Sequence, residues 1–141
     1  MSMKSYWLAA LAYIFCTFLI AAPWHMVFFK PVYDDLAIFT RTEPLIPLGL
    51  ASMLMQGLVL SYLYPFFAQG KHSVKTGALF GLLMGVLLAS SAVFAEAGKQ
   101  NVTSLSTWLV LESVYFLFQF TVVGGVMGMI YAKGPQPHGL R

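Results

Sequence analysis

Of the 141 residues, 59% are hydrophobic and 9% are charged, whereas an ordinary soluble domain carries about 25% charged residues. A soluble core of this length cannot hide so much apolar surface, so lipid must act as solvent for much of it. The formal charge of +3 is scattered without a basic run, which excludes a nucleic-acid-binding surface. The single cysteine, Cys16, excludes an intrachain disulfide, a thiolate metal cluster and CxxC redox chemistry.

Four apolar runs reach the roughly 20 residues that a membrane-spanning helix needs. They cover about residues 6–29, 47–67, 74–97 and 105–131. Lys4 before an apolar stretch, with Ala21-Ala22 after it, imitates a secretory leader. The apolar run from Trp7 to Phe29 is longer than a leader's, so it reads as the first span. Lys30 to Phe39 then reads as a short amphipathic helix on the membrane surface, with Pro31 in its first turn and Asp34 and Asp35 near its positive end. Pro44 and Pro47 open the second span, Gly70 and Lys71 turn the chain after it, and the polar stretch 98–106 separates the last two spans. Short connections make neighbouring helices antiparallel. The expected fold is therefore a single all-α domain, residues 1–141: an up-down four-helix bundle in the membrane, with an interfacial helix in the first outer loop.

Lys4, Lys71, Lys75, Lys133 and Arg141 fall on one side of this topology with no acidic residue. Lys30, Arg41 and Lys99 fall on the other, beside Asp34, Asp35, Glu43 and Glu96. The excess of cations places both termini and the middle loop in the cytoplasm of an inner-membrane protein. Membrane helices associate through close fit and internal polar contacts. The third span offers the fit, with Gly77, Gly81, Gly85 and Ala89 recurring every four residues, and the fourth offers Gly124 with Gly128. The closest contact is expected through Gly81 and Gly85.

The informative residues are the polar ones inside these spans. Glu112 follows Trp108 by one turn, about 6 Å below the outer interface at a rise of roughly 1.5 Å per residue. An intramembrane carboxylate is expensive and points to function. Tyr115 and Gln119 share its helix face. Glu96 ends the third span, Ser52 and Gln56 form a stripe on the second, and His25 stands near the outer end of the first. If these stripes turn inward, His25, Ser52, Gln56, Glu96, Glu112, Tyr115 and Gln119 line one pocket in the outer half of the membrane. Each also has a plain structural role: a carbonyl or headgroup bond for His25, a solvated pair with Lys99 for Glu96, and interhelical hydrogen bonds for Ser52 and Gln56. Glu112 is expected to point inward, with His25 as its most telling partner. No spacing pre-forms a metal site, no cofactor motif is present, and HExxH, phosphate-loop and GxSxG motifs are missing.

Trp24-His25-Met26-Val27-Phe28-Phe29-Lys30, Gly77-Ala78-Leu79-Phe80-Gly81-Leu82-Leu83, Trp108 to Tyr115 and Gly124 to Tyr131 resemble a family of small bacterial four-helix membrane proteins catalogued as a domain of unknown function. The resemblance covers most of the chain and implies a fold and a membrane location but no activity. The chain departs from the family at His25, where a tyrosine is expected.

Three classes of function fit these residues. One is a protein that binds a hydrophobic small molecule or an ion, with a His–carboxylate group able to move protons in a membrane enzyme. Another is an accessory subunit or homo-oligomer packed through its glycine stripes. The last is a small proton-coupled transporter, which the lack of an inverted repeat disfavours. Membrane lipids are partners in each.

Overall fold

The computed structural model describes residues 2–38, 41 and 43–134. Arg141, counted above for orientation, and Phe39, the expected end of the interfacial helix, lie outside the described residues. The described residues fold as helices: α1 Met3–Pro23, α2 Lys30–Leu36, α3 Ile46–Ala68, α4 Val74–Ala89 and α5 Leu105–Lys133. Two π-helical segments, Trp24–Phe28 and Ser90–Ala95, continue α1 and α4. Among the described residues, four continuous helices are long and apolar enough to cross a membrane: Met3–Phe28, Ile46–Ala68, Val74–Ala95 and Leu105–Lys133. The third and fourth begin where expected, and the other bounds lie a few residues from the expected ones, because an apolar run and a hydrogen-bonded helix need not end together.

Local chemistry sets the ends. The Ser73 hydroxyl accepts from the Thr76 amide at 3.0 Å and caps α4. Pro31 and Pro47 occupy first-turn positions of α2 and α3, where a missing N–H costs no helical bond. α3 ends at Gln69 in the left-handed region, followed by Gly70 at φ 80°, a conformation that glycine adopts without strain. α2 is shorter than expected: Ala37 turns left-handed and stops it after Leu36.

α4 and α5 form the tightest pair and run antiparallel. A Cβ built on Gly77 would lie 2.1 Å from the Gly124 carbonyl oxygen, and one on Gly81 would lie 1.9 Å from that of Phe120. Gly128 faces Gly77 and the Ser73 carbonyl just as closely. At Gly85 the nearest approach relaxes to 3.1 Å. The closest contact is therefore centred on Gly77 and Gly81, one turn nearer the chain's termini than the expected Gly81–Gly85. α1 packs against both α3 and α5, while α3 touches α4 and α5 only lightly.

Two apolar clusters fill the interior. One, toward the end that carries the termini, gathers Tyr13, Leu60, Tyr64, Phe80, Phe120, Val123, Met127 and Tyr131. The Tyr131 hydroxyl donates to the Ser61 carbonyl at 2.6 Å there, joining α5 to α3. The other lies at the opposite end, below the connections that follow α1 and α4, and gathers Tyr33, Leu36, Ile38, Ala89, Val93 and Trp108. α2 thus folds back over the helix ends and buries Tyr33 and Leu36, while Asp34 and Asp35 stay exposed. Thr103 fixes α2 from across the structure. Its amide donates to the Leu36 carbonyl at 3.3 Å, and its hydroxyl donates to the Asp35 carbonyl.

Candidate functional site

Pro23 sits inside the first apolar helix and has no N–H to give to the carbonyl one turn back. The chain then widens into the π turn Trp24–Phe28. Such a turn rearranges side chains relative to a regular helix and is frequent at functional sites. Here it brings both Trp24 and His25 against the ring of Tyr115 on α5, at 5.6 and 4.5 Å between centroids. In a regular helix two consecutive side chains diverge too widely to share a face. The second π turn has a similar use, since its Val93 carbonyl accepts the indole N–H of Trp108 at 3.1 Å.

Glu112 is buried, 4% exposed, and points into the protein. Its carboxylate accepts the hydroxyl of Tyr33 on α2. The Tyr33 oxygen in turn accepts the Trp24 indole N–H at 3.2 Å. Burial pushes the Tyr33 phenol well above its ordinary value, and the hydrogen bond to Glu112 and its charge push it the same way, so Tyr33 stays a neutral donor. The Nε2 atom of His25 lies 3.4 Å from the same carboxylate oxygen. Its Nδ1 atom lies 3.0 Å from the Ala21 carbonyl.

These contacts determine the proton count. A carbonyl only accepts, so Nδ1 carries a proton and donates to Ala21. A neutral imidazole would then offer a bare lone pair at Nε2 to a carboxylate, which repels it. Two arrangements remove the repulsion: an imidazolium beside a carboxylate, or a carboxylic acid donating to a neutral imidazole. Both contain one proton between Glu112 and His25. Among the described residues no third histidine, cysteine or carboxylate gathers with the pair to make a metal-binding group.

His25 also faces the other way. It lines a groove of about 220 Å³ between α1 and α3, together with Phe18, Ala21, Ala22, Met26 and residues 44–46, 49, 50 and 53. Apart from His25, every side chain in this lining is apolar. A dry engineered cavity of about 150 Å³ holds one benzene, so the groove admits a substituted ring or a short stretch of alkyl chain.

The expected seven-residue pocket is thus only partly assembled. His25, Glu112 and Tyr115 come together. Gln119 is buried, 3% exposed, one turn along the same face, with its carbonyl oxygen unpartnered. Gln56 and Ser52 do not reach Glu112. Gln56 accepts the Tyr13 hydroxyl at 2.5 Å and donates to Ser52 at 3.2 Å, and Ser52 is exposed. The bond to Tyr13 is the interhelical bonding expected of Gln56, whereas the bond between Gln56 and Ser52 stays within α3. Glu96 does not join the site either. It stands at the surface, accepts from Gln100 at 2.9 Å and pairs with Lys99 at 3.6 Å. The Gln100 bond, more than the lysine, holds its carboxyl below the usual range. The helix turns once more at Ser90–Ala95 as a π segment, so the regular spacing that put Glu96 in line with Gly85 does not carry through. Tyr33 and Trp24 complete the site without having been expected there, because aromatic residues near a span's end read as interfacial anchors. The Pro23 next to Trp24-His25 was the available signal for a break in the helical register. Comparison of the chain with protein-family models, curated proteins and solved structures finds no match to any of them.

Proposed function

We propose that the chain is a multi-pass inner-membrane protein that binds a lipophilic small molecule in the groove between α1 and α3, with the ligand's polar end at His25 and Glu112. One observation carries this reading: His25 is shared between a buried carboxylate and an apolar groove. A structural imidazole needs only one of these neighbours. The groove opens on a face that lipid would cover, so a ligand enters sideways from the bilayer without crossing water. In this reading the four apolar helices form a membrane bundle, α2 lies at its outer surface, and the termini are cytoplasmic. The charge asymmetry supports that orientation. In a Cys16→Ala background, Lys71→Cys should react with a membrane-impermeant maleimide only after the cells are opened. Labelling of intact cells would reverse the topology.

Gly49 supplies the test of the groove. It lines the groove, and a Cβ built on it meets nothing within 4 Å. Gly49→Leu therefore fills the space without displacing backbone. With a diazirine-bearing fatty acid in lipid nanodiscs, cross-links should concentrate on Ala22, Met26, Leu50 and Met53, and Gly49→Leu should remove most of them. Even labelling over all apolar faces, unchanged by Gly49→Leu, would show that the groove is ordinary lipid-facing surface.

A second reading, an accessory subunit, is favoured by α3 alone, of which 17% of the most apolar window is buried within the chain. It leaves the shared position of His25 without a use.

A further inference from the structure

The imidazole of His25 stands among aromatic rings. The ring of Tyr115 stands nearly perpendicular to it, with centroids 4.5 Å apart, and Tyr33 lies tilted at 4.9 Å. Trp24 joins the two by packing on Tyr115 at 5.6 Å and bonding the Tyr33 hydroxyl. The Glu112 carboxylate lies 3.4 Å from Nε2. Aromatic faces around a carboxylate favour positive charge, and they bind an organic cation without requiring N–H donors from it. An imidazolium is itself such a cation. The neighbouring lysines are engaged elsewhere, Lys30 with Asp34 at 2.6 Å and Lys99 with Glu96 at 3.6 Å. Among the described residues, His25 is the basic side chain paired with Glu112.

We propose that this cage is the headgroup site for a lipophilic organic cation, a quaternary ammonium or protonated amine, which takes the imidazole's place beside Glu112 while its apolar tail lies in the groove. The inference rests on the groove reading above and names its ligand class. The ring quadrupoles and the buried carboxylate select the charge, and the apolar lining selects the tail. A neutral amphiphile gains only the tail's contacts. An anionic one meets Glu112 with like charge.

The charge balance adds a consequence. The pair holds one proton before the ligand arrives. With an organic cation in place, Glu112 is a carboxylate and His25 is neutral, so each cation that binds releases one proton. No covalent bond changes. The groups facing the cation are His25 from the π turn, Tyr33 from α2, and Glu112 and Tyr115 from α5. The third span contributes the apolar Ala89 and Val93 to this end of the protein, and Lys30, Asp34 and Asp35 are exposed on α2.

The experiment titrates dodecyltrimethylammonium into the full chain in phosphatidylcholine nanodiscs and follows tryptophan fluorescence. Dodecyl maltoside serves as a neutral probe with the same tail. The cation should bind saturably and about tenfold or more tighter than the maltoside. Glu112→Gln should weaken the cation by a similar factor and leave the maltoside unchanged. His25→Ala, which empties the cage and keeps the carboxylate, should bind the cation more tightly than the native chain and without the proton release. A merely structural His25 predicts the opposite sign, so this variant decides the matter even if Glu112→Gln does not fold. Equal affinity for both probes, or weaker cation binding by His25→Ala, would overturn the proposal. If Gly49→Leu abolishes both probes while Glu112→Gln alters neither, the groove reading survives and the cation reading fails. If Gly49→Leu alters neither probe, both fail.

Discussion

A single methyl group added at Gly81 is expected to lower the melting temperature of the protein in detergent more than any other one-carbon change at a glycine. The added Cβ would lie 1.9 Å from the Phe120 carbonyl oxygen and 3.1 Å from the Cα of Gly124. Both are backbone atoms, so no side chain can rotate away, and α4 and α5 must separate along their length. Overpacking of a tight interior costs roughly 1–3 kcal/mol, occasionally more, and rigid neighbours put Gly81→Ala at or above the top of that range. The gradient is as informative as the extreme. Gly77→Ala and Gly124→Ala should behave alike, because their added atoms would lie 2.1 and 2.3 Å from each other's backbone oxygens. Gly85→Ala, with 3.1 Å to its nearest neighbour, should cost less, and Gly49→Ala, with nothing within 4 Å, should cost nothing measurable by packing. Thermal unfolding of the five variants, monitored by light scattering, checks the order. A Gly81→Ala protein that melts with the native chain would mean that α4 and α5 are not in contact along this stripe.

The glycine stripes were legible because they depend on period alone. Residues four apart share a helix face whatever the tertiary structure does, so the stripes at 77, 81 and 85 and at 124 and 128 stand out in the sequence, while their pairing with each other does not. The exact level of closest approach was not legible. It depends on how far α4 slides along α5, and Phe120 intrudes opposite Gly85 where a glycine stands opposite Gly77. The four long apolar helices were legible for a similar reason, since an uninterrupted apolar run of about 20 residues can be read without any packing detail.

The site was half legible, and the division falls at the points where helical regularity stops. Glu112, Tyr115 and Gln119 lie on uninterrupted α-helix, and the face they were expected to share is the face they occupy. His25 lies in a π turn after Pro23, so its proximity to Glu112 follows from a departure that spacing alone does not encode. Glu96 follows the other π segment and ends at the surface. Tyr33 was placed on the expected amphipathic helix, but an amphipathic helix offers its apolar face to lipid or to protein with the same pattern. The bond from Thr103 to the α2 backbone, which holds Tyr33 over the site, joins residues 68 positions apart, and no local rule anticipates it.

Glu112→Leu is expected to destabilise the protein by about 1–3 kcal/mol, whereas Glu112→Gln stays nearer the native stability. Leucine fills much the same volume but removes the acceptor of the buried Tyr33 hydroxyl, and loss of a buried polar group's partner carries that cost. Glutamine keeps an acceptor for Tyr33, its carbonyl oxygen standing where one carboxylate oxygen meets both the Tyr33 hydroxyl and Nε2 of His25. What glutamine removes is the negative charge. The two variants thus separate the polar contacts from the charge. Melting in detergent reads the first, and Glu112→Leu should also loosen α2, visible as faster amide exchange over Lys30–Leu36, because Tyr33 loses its anchor. Binding of dodecyltrimethylammonium, followed by tryptophan fluorescence, reads the second, because Trp24 is bonded to Tyr33 and packed on Tyr115 beside His25. Glu112→Gln should weaken that binding while melting near the native temperature. If Glu112→Leu were as stable as Glu112→Gln, the contacts of Glu112 would be incidental. Undiminished cation binding by Glu112→Gln would leave the charge of Glu112 without a function.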